Sequence, residues 1–148
     1  MSAYGDKAEG LFREGYNCAL AVFCAFEDIT GLNKETASAI SSSFGGGIGR
    51  MREVCGAVSG AAMVLGLVKG SYSPDNFQAK KDHYALIQEF AAKFKEENGS
   101  IICRELLKGT NSVNGTTPEK RTDTYDKKRP CPLIVRCAAD IVADMLDL

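Results

Sequence analysis

The 148-residue sequence has no tryptophan and a single histidine, His83, and neither sign of charge dominates it, the formal net charge being -1. One histidine gives no basis for a Ser/His/Asp catalytic arrangement. Without a basic excess the chain does not read as a general nucleic-acid binder. The longest apolar stretch, Val54 to Val68, contains Ser59 and three glycines. It falls short of the roughly 20 residues of a membrane span and reads as a buried helix. Met1 to Gly10 is polar and lacks an apolar core, so no secretory signal is expected and a cytoplasmic location follows. No Cys-x-x-Cys pair occurs, which excludes a thioredoxin-type site. Strand signals are weak, and no internal repeat or low-complexity tract is present.

What the sequence does contain is cysteine: six in 148 residues. Hydrophobic residues make up 45% and charged residues 25%, an ordinary globular balance that predicts one domain over 1–148. A chain of this size buries roughly two thirds of its unfolded surface and needs no disulfide to be stable. In a reducing compartment, cysteines in number point to metal binding or redox chemistry rather than to staples. A single cysteine is more often a small buried apolar residue. Six together call for another account.

Helix signals predict an all-α, single-domain bundle of about five to six helices around a buried, small-residue-rich central helix. Ala8, Leu11, Phe12, Gly15, Ala19, Val22, Phe23 and Phe26 form one stripe at helical spacing, predicting a first helix from about Ala3 to Asp28. Thr30-Gly31 ends it. Asn33 caps a second helix to about Ser43. Phe44 to Arg50 is a glycine loop. The third helix, about Arg52 to Leu67, is apolar nearly all round and is expected at the centre, with Gly56, Ala57, Gly60 and Ala61 permitting close approach. Ser73-Pro74-Asp75 starts a fourth helix, with serine as cap and proline in its first turn. It carries Phe77, Tyr84, Ile87, Ala91 and Phe94 on one face and stops at Asn98-Gly99. Ser100 caps a fifth, Ile101 to Lys108. Gly109 to Arg129 is a polar connection of the length of a lid, with a helical turn expected at Thr117-Pro118-Glu119. The last helix begins near Pro130, with Ile134, Ala138, Ile141 and Met145 as its apolar stripe.

On this frame Cys55, Cys103 and Cys131 fall in first turns of helices. Free N–H groups and the positive dipole end there favour a thiolate, and Arg50, Arg52, Arg104 and Arg129 lie near in sequence. Cys18 is expected mid-helix, beside Leu11 and Val22, facing the core where it can meet the other three. Cys24 lies about 240° further round and is expected to point outward. Cys137 sits on the border of the apolar and acidic faces of the last helix. The six therefore divide into a set of four and two others.

The ordered pieces Asn17-Cys18-Ala19, Phe44 to Gly49, Cys55-Gly56-Ala57-Val58-Ser59-Gly60, Ile102-Cys103-Arg104-Glu105-Leu106 and Cys131-Pro132 give the chain a likeness across nearly its whole length. It resembles the C_GCAxxG_C_C family, named for its cysteine pattern. The core here reads Cys-Gly-Ala rather than Gly-Cys-Ala. The resemblance implies a helical fold of about 140 residues, a redox role, and four characteristic cysteines mapping onto Cys18, Cys55, Cys103 and Cys131; Cys24 and Cys137 are extra to the pattern.

Three readings follow. In the first, the four thiols perform thiol–disulfide chemistry with a redox partner of unknown identity. Cys55 is then the favoured nucleophile, and Cys18, Cys103 or Cys131 resolves the mixed disulfide. In the second, the same four ligate Zn²⁺ or an iron–sulfur cluster. In the third the protein is a non-enzymatic helical interaction module, with an outward Cys24 beside Leu20 at a homodimer interface. The Gly45 to Gly49 loop lacks the Gly-Lys-Ser/Thr ending of a phosphate-binding loop and reads as a tight turn. His83, Glu96 and Glu97 read as structural or solvated, as do Arg50 and Arg52.

Overall fold

Asn17 interrupts what the apolar stripe presents as one helix. Gly15 takes a left-handed φ of 112°, and the Asn17 side chain accepts a hydrogen bond from the Leu20 N–H, capping a new helix at Cys18. The expected Ala3–Asp28 helix is therefore three: α1 (Ala3–Arg13), α2 (Cys18–Ala25) and α3 (Glu27–Thr30). A computed structural model describes residues 2–110, 112–121 and 129–148. The remaining helices are α4 (Lys34–Ser41), α5 (Gly56–Lys69), α6 (Phe77–Asn98), α7 (Cys103–Leu106) and α8 (Cys131–Met145), with a 3-10 turn at Ser42–Phe44. The fold is an all-α bundle. The described residues contain eight α-helices, more than the five to six expected, because the first expected helix breaks at the Asn17 cap and again at Phe26.

The expected central helix is not where the sequence placed it. Residues 52–55 are not helical, and α5 leaves Leu67 47% exposed. Buried all round instead is α2, whose Ala19 to Ala25 are all inaccessible. It lies among α1, α4, α5 and α8. The core it anchors includes Phe23, Phe26, Phe90 and Phe94, each fully buried. Each contributes roughly 1.5–3 kcal/mol relative to an exposed side chain. Gly60 is what lets α5 reach α2, since a Cβ there would come to 2.5 Å from the Ala19 carbonyl oxygen.

Two further helix starts are displaced. Asn76, not Ser73, caps α6 by accepting from the Ala79 N–H, and Ser73 closes a turn by accepting the Asn76 N–H. The early part of the α6 apolar face is exposed, Phe77 at 78% and Tyr84 at 57%, while Phe90 and Phe94 are buried. The fifth helix shrinks to α7, because Val54 and Ile102 form an antiparallel bridge. The Cys55 N–H donates to Ile101 O, and the Cys103 and Arg104 N–H groups donate to Glu53 O and Arg52 O. Ser100 accepts from the Ile102 N–H and donates to Glu105. Thr117-Pro118-Glu119 forms no helical turn. The remainder of the Gly109 to Arg129 connection, Asn111 and 122–128, lies outside the described residues. No helix among those described is long and apolar enough to cross a membrane.

Candidate functional site

Cys18, Cys55, Cys103 and Cys131 line one cavity of about 840 Å³, and neither Cys24 nor Cys137 reaches it. Each of the four stands at the start of a helix. Cys18 opens α2, Cys55 caps α5, Cys103 opens α7 and Cys131 opens α8. The sequence placed three of them so. Cys18 joins them because Asn17 caps a new helix directly before it. Cys18 meets the other three as expected, from a helix start rather than from mid-helix.

Close backbone approaches bring the four together. The pairing of 52–55 with 101–104 sets Cys55 and Cys103 on one face of a short antiparallel ladder, two residues out of register. A Cβ at Gly56 would clash with the Cys18 sulfur, and a Cβ at Gly47 would lie 2.7 Å from the Cys103 Cβ. The glycine loop is tight. The N–H groups of Ile48, Gly49, Arg50, Arg52 and Glu53 donate to Phe44, Ser43, Gly45, Gly46 and Gly47 carbonyls. Those five donors are spent within the loop, as in a tight turn.

Cys18, Cys55 and Cys131 do not have the thiolate character that a helix start favours. Burial pushes the Cys55 thiol well above its ordinary value and the nearby Cys18 adds to this; the Ala57 and Val58 N–H groups oppose it and lose. Burial, with Cys18 again adding, lifts Cys131 to about 12 against the opposing charges of Arg129 and Arg121. Burial also raises Cys18, against a Gly46 backbone N–H. Removing a thiolate from water outweighs the helix dipole here. Cys18 interacts electrostatically with each of the other three, which places them in one electrostatic unit.

Cys103 has a cationic partner. Arg52 Nη1 donates to its sulfur at 3.8 Å. Arg52 is buried, not solvated, and Arg50 is nearly so, with 8% and 12% of their side chains exposed. Both take left-handed φ values, 62° each, which turn their side chains into the cavity. Arg104 instead points outward to Glu53 at 2.6 Å. Glu119, which sequence reasoning did not single out, receives Arg50 at 2.8 Å, Arg129 at 2.8 Å and Arg52 at 3.5 Å. Burial disfavours its charge, but Arg129 and then Arg50 outweigh this and hold its carboxyl below the ordinary range. Arg121, also missed, reaches the carbonyls of Phe12 and Tyr16 and stacks on the Phe12 ring. A Glu or Arg in a polar connection carries no sequence mark of what it will meet.

All six cysteines are unbridged. Among the described residues, no three His, Cys, Asp or Glu side chains form a group that could hold a metal ion. Cys24 does not point outward, being 1% exposed, and Leu20 beside it is 7% exposed; their expected homodimer surface is inside the core. Cys137 sits at the border as expected, half-buried and accepting from Asn98 Nδ2 at 3.5 Å. His83 rests near Tyr72 on α6, away from the cavity.

The family model described as "Putative redox-active protein (C_GCAxxG_C_C)" matches residues 16–145. No curated protein and no solved structure matches the chain.

Proposed function

The chain belongs to the C_GCAxxG_C_C family of redox-active proteins, and from that premise we propose that the cysteine cavity is its redox centre, with Cys18, Cys55, Cys103 and Cys131 as ligands of an iron–sulfur cluster. The observation that carries this reading is that these four cysteines, and neither of the other two, line one cavity. Four cysteines are the usual ligand set of such clusters. The raised thiols support it. Burial keeps Cys18, Cys55 and Cys131 protonated, which makes them poor free nucleophiles. Metal binding displaces those protons. Helix starts and the buried Arg52 offset the negative charge that four thiolates bring. Such a cluster would supply electron transfer, and the Arg52 donor to Cys103 is of the kind that tunes its potential.

The Arg52–Cys103 contact also favours a second reading, thiol–disulfide exchange. There Cys103, rather than Cys55, is the attacking sulfur, because it has the cation beside it. Anaerobic reconstitution with ferrous iron and sulfide tests the two. Iron and acid-labile sulfide bound in wild type, lost on Cys→Ser at any of the four and retained in Cys24→Ala and Cys137→Ala, is the expected result. A colourless, iron-free protein overturns the cluster. A reversible disulfide through Cys103 under oxidised glutathione would then support exchange, and inert thiols would overturn both.

A further inference from the structure

Beside the cysteines the cavity carries a second chemical feature, three buried arginines, Arg50, Arg52 and Arg129, gathered around the one carboxylate of Glu119. Arg52 and Arg50 are close to nine-tenths buried, and both reach Glu119. Arg50 also donates to the Gly115 and Val113 carbonyls, and Arg52 to the Val113 carbonyl and the Cys103 sulfur. Arg52 Nε finds no hydrogen-bond partner among the described residues. Burying a guanidinium is costly unless its donors are used. The geometry of the loop enforces this arrangement, since both residues take the left-handed backbone that side chains rarely adopt. The carboxylate that answers them comes from a connection with no regular structure over 112–121, and 25% of the Glu119 side chain is exposed.

We propose that Arg50 and Arg52 form a recognition site for the carboxylate of a small organic anion, and that Glu119 occupies this site when the ligand is absent. Glu119 shows that a carboxylate fits here, with Arg50 and Arg129 at 2.8 Å and Arg52 at 3.5 Å, and Arg52 Nε is a donor that Glu119 does not use. The rest of the cavity suits an organic body. Phe12, Leu20, Leu107 and Ile134 line it alongside the arginines, and its volume of about 840 Å³ is within the range of small-molecule sites. A ligand held by Arg52 would lie next to Cys103, which Arg52 already contacts. The site would thus present an anion to the cysteine centre. The inference goes beyond the redox reading and does not depend on whether the cysteines hold a cluster or exchange disulfides.

Glu119→Ala opens the carboxylate position without touching a cysteine. Acetate and benzoate are the probes, with chloride at matched ionic strength as reference, and the readouts are the thermal midpoint and calorimetric titration. Glu119→Ala should be stabilised by both probes and bind benzoate about tenfold more tightly than wild type, charge-assisted pairing to arginine being the interaction restored. Adding Arg52→Met should remove the effect. No carboxylate-specific stabilisation, or one that survives Arg52→Met, overturns the proposal. Should Glu119→Ala fail to fold, the Arg52 Nε–H resonance of wild type is followed during benzoate titration. A saturable shift supports the site, and an unmoved resonance overturns it.

Discussion

Gly56 of α5 sits so close to Cys18 of α2 that the first side-chain atom of any other residue would clash with the Cys18 sulfur. The glycine is therefore part of the site as well as of the helix packing. Gly56→Ala should cost about 1–3 kcal/mol by overpacking and should displace Cys18 from the cavity. Gly66→Ala, on the same helix with nothing within 4 Å, is the control. It should be neutral or stabilise by about 0.5–1 kcal/mol through helix propensity. Urea unfolding of both variants, with iron uptake after reconstitution, checks the pair. Equal loss in the two would refute the close-contact account.

Asn17 caps the helix that Cys18 opens, and its side chain also donates to the Ser42 carbonyl at 3.3 Å. Asn17→Ala removes both bonds and should lower stability by about 1 kcal/mol. Asn17→Asp keeps the acceptor for Leu20 N–H and should recover most of that loss. Chemical denaturation distinguishes them, and no difference between Ala and Asp would mean that the cap contributes nothing.

The division of the cysteines was legible in the sequence because it rests on local signals. The glycine loop before Cys55, Ser100 before Cys103, and Pro130 and Pro132 around Cys131 mark helix starts, and the acidic face of the last helix sets Cys137 apart. The break at Asn17 was hidden because the apolar stripe runs straight through it, with Ala8 to Phe12 and Ala19 to Phe26 sharing one periodicity. Cys24 was misplaced for the same reason, since facing away from a stripe means little on a helix covered from every side. The inward turn of Arg52 depends on a left-handed backbone and on pairing with residues about fifty positions away. The direction of the thiol shifts depends on burial, which sequence spacing does not report.

The raised thiols make the metal-free protein sensitive to alkali. For Cys55 and Cys131 the folded state holds the proton more tightly than the unfolded state, where the value is near 9.0. Their contribution is fully present below that value and is lost as pH rises through the folded values, which for Cys131 is about 12. The urea midpoint of the apo protein should therefore fall over this rise in pH. Alkylation by iodoacetamide at pH 8 should label Cys55 and Cys131 far more slowly than in urea. Peptide mapping by mass spectrometry checks the rates, and prompt labelling of Cys55 in the folded protein would contradict burial as the controlling factor.

Glu119 sets the opposite limit. Its carboxyl is held below the ordinary value of 4.5 by Arg129 and Arg50 despite the burial that opposes its charge. The folded state thus prefers the ionised form, and the stability this gives is present above pH 4.5 and is lost as pH falls through the lower folded value. Glu119→Gln removes the titrating group while keeping the shape. It should be less stable than wild type at pH 7, by about 1–3 kcal/mol for a charge-assisted hydrogen bond, and the gap should close towards pH 3. Midpoints of urea unfolding at pH 7, 5, 4 and 3 give the comparison. A gap that stays constant with pH would mean that Glu119 acts through shape alone and that its charge does not hold the arginines.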